Sequence, residues 1–64
     1  MLADWELWAC ANHYIRKHPG DATIHAAMRA DQLLANGDLE GARNYRAIVR
    51  RINDLLEQPS GALH

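Results

Sequence analysis

The chain has 64 residues, a formal net charge of -1 and 48% hydrophobic residues, but only two tryptophans, two tyrosines and no phenylalanine. Such a length holds one small domain and lacks the walls of an ordinary catalytic cleft, so the chain reads as a non-enzyme with no catalytic residue. The near-neutral charge argues against a dedicated nucleic-acid or membrane-surface binder, which carries a basic excess.

Alanine, leucine and arginine dominate, whereas valine and threonine occur once each. This composition favours helix over strand. Helix breakers divide the chain at His18-Pro19-Gly20-Asp21, at Asn36-Gly37-Asp38 and at Gln58-Pro59. Gly20 and Gly37 stand where a helix closes on a left-handed residue, and Asp21 and Asp38 stand where the next helix needs an N-cap. The expected fold is all-α, a three-helix bundle over residues 1–58 with short turns at 18–21 and 36–38 and a flexible C-terminal tail over 59–64.

The first helix is expected from about Asp4 to Lys17. Leu7, Trp8, Ala11, Tyr14, Ile15 and His18 recur at helical spacing and share a face. Trp5 falls on the other side, as an exposed aromatic, a lid over the bundle end or a piece of interface. The single cysteine, Cys10, allows no intrachain disulfide, and acidic residues stand where a signal peptide is basic. Both point to a reducing, cytoplasmic setting. No apolar run approaches the ~18–20 residues needed to cross a bilayer, so no membrane partner is expected.

The second helix, about Ala22 to Ala35, carries two apolar stripes. One is Ile24, Ala27, Met28, Leu34 and Ala35, with Asp31 at its centre. The other is Ala22, Ala26, Ala30 and Leu33, bordered by His25 and Arg29. The pattern leaves open which stripe is core. If it is the first, Asp31 is buried and pairs with Arg29 or Arg51 of a neighbour. If it is the second, Asp31 is wet. Either way one stripe remains over, because a three-helix monomer offers this helix a single cleft.

The third helix, about Leu39 to Glu57, has the clearest stripe: Gly41, Tyr45, Ile48, Val49, Ile52, Leu55 and Leu56. Gly41 is expected to admit a neighbouring helix. The far face carries Arg43, Ala47, Arg50 and Asp54, flanked by Arg46 and Arg51, with Arg50 and Asp54 at i,i+4 spacing.

Chemistry-bearing residues are few. Cys10 and His13, followed by His18 and His25, are zinc-ligand types, but there is no cysteine pair and no clean helical His-x3–5-His pair, since His18 projects from a different side of the helix than His13. The reading assigns no metal and no cofactor. Cys10 with His13 lacks an orienting third group and an oxyanion hole. Arg43, Arg46, Arg50 and Arg51 raise an alternative, weak nucleic-acid binding through the third helix, but Glu40, Asp54 and Glu57 interrupt that face.

Self-association fits the arithmetic better. A domain of this size buries only about 60% of its unfolded surface, and ordering it costs roughly 1.5 kcal/mol per residue. Alanine-rich core positions add little area to set against that. The expected function is a small protein–protein interaction or self-association module, with a homodimer favoured and a protein partner as a further option. Trp5, Ile24, Met28, Asp31, Leu34, Arg46 and Arg50 are the interface candidates, while Trp8 and Tyr45 are assigned to ordinary core.

Two resemblances accompany this reading. Gly37-Asp38-Leu39-Glu40-Gly41-Ala42, followed by Tyr45, resembles the turn and second helix of a single tetratricopeptide-type hairpin. More of the chain is similar to a family of short, uncharacterised alphaproteobacterial helical proteins, a domain of unknown function. That likeness rests on Glu6-Leu7-Trp8-Ala9-Cys10-Ala11 and on Gly37-Asp38-x-x-Gly41-x3-Tyr45-Arg46-x-Ile48-x2-Arg51-Ile52-x2-Leu55. His25 and Ala26 depart from it, where bulkier apolar residues are usual. The resemblance implies a helical fold in a bacterial cytoplasm and no activity.

Overall fold

The computed structural model describes residues 2–57. Three helices follow one another: α1 (Asp4–Lys17), α2 (Ala22–Ala35) and α3 (Leu39–Glu57). These are the spans expected from the helix breakers. The expected stop at Gln58-Pro59 and the tail over 59–64 lie outside the described residues. All three helices touch, as a three-helix bundle requires; α2 and α3 are the closest pair and α1 packs more on α3 than on α2. None of them is long and apolar enough to cross a membrane.

Local chemistry explains the ends. Gly20 and Gly37 adopt φ of +102° and +82°, a region that costs a residue with a Cβ dearly. Asp38 caps α3: its Oδ1 accepts the Gly41 backbone N–H at 2.9 Å. Asp21 holds the equivalent place before α2 but makes no capping bond with its side chain. At the start of α1, Glu6 accepts the Ala3 N–H at 2.9 Å, which is half of a capping box.

The core is a cluster of Leu7 and Ala11 from α1, Ala22 and Ala26 from α2, and Ile48 and Ile52 from α3. Half-buried Tyr14, Ile15, Tyr45, Val49 and Leu55 pack against it. The open question about α2 is thereby answered. Ala22, Ala26 and Ala30 are buried, while Ile24, Met28 and Asp31 face outward. Small side chains on one helix let the axis of another come close, so the isoleucines of α3 fill the space that the alanines leave.

Three expectations need correction. Gly41 does not admit a neighbouring helix: a Cβ there would meet Asp38 Oδ2 at 2.6 Å, so the space belongs to the cap. Leu56, assigned to the inward stripe, is exposed, because the stripe outruns the two shorter helices. Ala47, assigned to the solvent face, packs against the core instead, and Ala42 is buried with it.

Arg51 is the other surprise. It hydrogen-bonds to the Asp4 carboxylate and lies over the Trp8 ring at 5.0 Å, tying α1 to α3. That hydrogen bond holds the Asp4 carboxyl below its ordinary value. Arg51 is half-buried, with its Nε enclosed and unpartnered. It therefore belongs to the helix junction, and the expected arginine face of α3 keeps only Arg43, Arg46 and Arg50.

Candidate functional site

Two regions of the surface gather polar and apolar side chains. The first spans the outer side of α2 and the adjacent side of α3. Ile24, Met28 and Leu34 are 59%, 56% and 42% exposed, large fractions for side chains of this kind. For Ile24 and Met28 this follows from the geometry already given: with α2 turning its alanines inward, the opposite side must point away from the bundle. Beside them runs a shallow groove of about 310 Å³ lined by Ala27, Ala30, Asp31, Arg46, Val49 and Arg50. Asp31, Arg46 and Arg50 thus share one rim. Among the described residues none of the three closes an ion pair, and Arg50 does not reach Asp54. Arg29 is turned aside, donating to Gln32 at 3.3 Å. Trp5, 72% exposed on α1, lines neither this groove nor the cleft described next.

The second region lies where α1 ends. A cleft of about 440 Å³ is lined by Ala9, Cys10, His13, Tyr14, Lys17, His18 and Tyr45. Tyr14 donates a long hydrogen bond of 3.4 Å to the Tyr45 hydroxyl, and the two rings meet edge to face. Burial, reinforced by that hydrogen bond, pushes the Tyr14 phenol up to about 12, so it stays protonated and donating. The His13 and Tyr14 rings are also perpendicular, with centroids 6.2 Å apart.

At the mouth of this cleft the turn brings together residues that sequence spacing alone kept apart. The His18 and His25 rings stack at 3.8 Å, inclined by 17°. His25 Nε2 lies 3.5 Å from Asp21 Oδ2. Cys10 and His13 do not join them. The grouping of His18, Asp21 and His25 escaped the sequence reading because Asp21 was assigned to capping. The signal was present, since Asp21 and His25 are four apart on one helix face.

Fold and surfaces together define a small all-helical protein with two candidate binding regions and no assembled catalytic constellation among the described residues. The profile of a family of unknown function, DUF6961, matches residues 3–60, and the chain belongs to that family. No curated protein and no solved structure matches it.

Proposed function

We propose that the protein is a non-enzymatic interaction module that pairs with a second copy of itself through the outer side of α2. The observation that carries this is the pair Ile24 and Met28, exposed on the side of α2 opposite its buried alanines, with Leu34 exposed on the flank. Burying such side chains stabilises by roughly 1.5–3 kcal/mol each when complete. The choice of a second copy rests on charge. One rim holds an acid, Asp31, and two bases, Arg46 and Arg50. A two-fold interface repeats every contact, so an Asp31–arginine pair formed across it would form twice, once in each direction. A reducing, cytoplasmic setting belongs to the same reading and suits the free, half-exposed Cys10.

Sedimentation velocity over a concentration series tests it. The wild-type chain is expected to move as a dimer at the upper concentrations, and Met28→Asp as a monomer with an unchanged helical circular dichroism spectrum. A wild-type chain that stays monomeric to millimolar concentration overturns the proposal.

A further inference from the structure

We propose that the turn between α1 and α2 binds a divalent late transition metal, zinc(II) in the first instance, through His18, Asp21 and His25. Each of the three brings a ligand atom to within 4.8 Å of the other two. A tetrahedral zinc with bonds of about 2.0–2.2 Å sets its ligand atoms roughly 3.4 Å apart. His25 Nε2 and Asp21 Oδ2 already stand 3.5 Å from one another. Two imidazoles and a carboxylate suit zinc, nickel or copper, whereas calcium and magnesium take oxygen donors.

The turn presents these ligands in a fixed frame. The Asp21 N–H donates to the His18 carbonyl at 3.2 Å, and the His25 N–H donates to the Asp21 carbonyl at 3.1 Å. Gly20, at φ +102°, lets the chain reverse between them. The backbone of the turn is therefore already ordered, and only side chains are left to rearrange around the metal. Asp21 also forgoes the capping bond that its position offers, and its carboxylate points to His25 instead. The stack itself is the resting state, not the bound one. An imidazole lone pair lies in the ring plane, so two parallel rings cannot both aim at one ion. One ring must tilt, and both are only half-buried, so the tilt is open to them. Three protein ligands leave a fourth position for water or a ligand from solution. A bound ion would join the end of α1 to the second turn of α2, the least packed pair of helices.

The test uses the full chain without a polyhistidine tag, titrated with zinc chloride by calorimetry and followed by thermal unfolding. The expected result is one zinc per chain and a Tm that rises with zinc. His18→Ala and His25→Ala should each weaken binding by roughly tenfold or more, since even outer-shell changes cost that much. Asp21→Asn should weaken it as well, while Cys10→Ser and His13→Ala should bind as the wild type does. On the unmodified chain, the imidazole NMR signals of His18 and His25 should shift with zinc and those of His13 should not. That readout holds whether or not the variants fold. The proposal is overturned by an absence of binding at millimolar zinc, by affinity that survives His25→Ala, or by affinity that falls with Cys10→Ser.

Discussion

Helices α2 and α3 face each other with opposite arrangements of bulk. α3 turns its large residues in: Ile48 and Ile52 are 1% and 0% exposed. α2 turns its small residues in and leaves Ile24 and Met28 more than half exposed. Hydrophobicity does not explain the difference, since isoleucine occupies both positions. Close packing does: two rows of large side chains cannot share one narrow contact, so the alanine row meets the isoleucine row. A helix that contributes its small side to the fold has its large side left for something else.

Breaking the comparison at its buried ends should have the largest effects. Ile52→Ala deletes a fully enclosed side chain, and such deletions cost about 2–5 kcal/mol. A core of this size rarely supplies more than roughly 3–5 kcal/mol. Chemical denaturation should therefore find Ile52→Ala mostly unfolded without denaturant. Ala26→Leu attacks the same contact from α2 by overfilling it, with an expected loss of about 1–3 kcal/mol. If α2 tolerated leucine there without loss, its alanines would not be what sets the approach of α3.

Two smaller effects sharpen the picture. The Asp4–Arg51 contact fixes α1 to α3 by charge and not by packing. The Arg51 hydrogen bond sets the folded carboxyl of Asp4 below its ordinary 3.8. A group so lowered stabilises the fold above its unfolded value and loses that contribution as pH falls through its folded value. The Tm difference between wild type and Asp4→Asn should thus be constant above pH 3.8 and shrink below it. It should be small throughout, because Asp4 is exposed. Smallest of all is the expected effect of Met28→Asp on folding in dilute solution, within about 0.5 kcal/mol of wild type. A large loss there would mean that the outer row of α2 supports the monomer.

The helix boundaries were legible because Pro, Gly and Asp act locally: Gly20 and Gly37 do what their positions require. The middle of the α3 core face (Tyr45, Ile48, Val49, Ile52 and Leu55) was legible from its period, whereas Gly41, Leu56 and Ala47 were not placed correctly by it. The core face of α2 was not legible, because alanine reads as weakly apolar in a sequence while its size is what the partner helix selects. The Arg51 junction with Asp4 was hidden for another reason. Those residues are 47 positions apart, and no local rule links them. The imidazole pair at His18 and His25 was visible as composition but not as geometry, since it depends on how a four-residue turn folds back. Membership of DUF6961 agrees with the resemblance to a helical family of unknown function read from both ends of the chain.

The central claim is that the outward row of α2 meets the same row of a second chain. Mixing isotope-labelled with unlabelled protein and recording isotope-filtered NOEs addresses it most directly. Cross-peaks from the Met28 and Ile24 methyl groups to the unlabelled partner are the predicted result. Their absence under concentrated conditions, or cross-peaks arising from Trp5 and Leu56 in their place, would contradict the account.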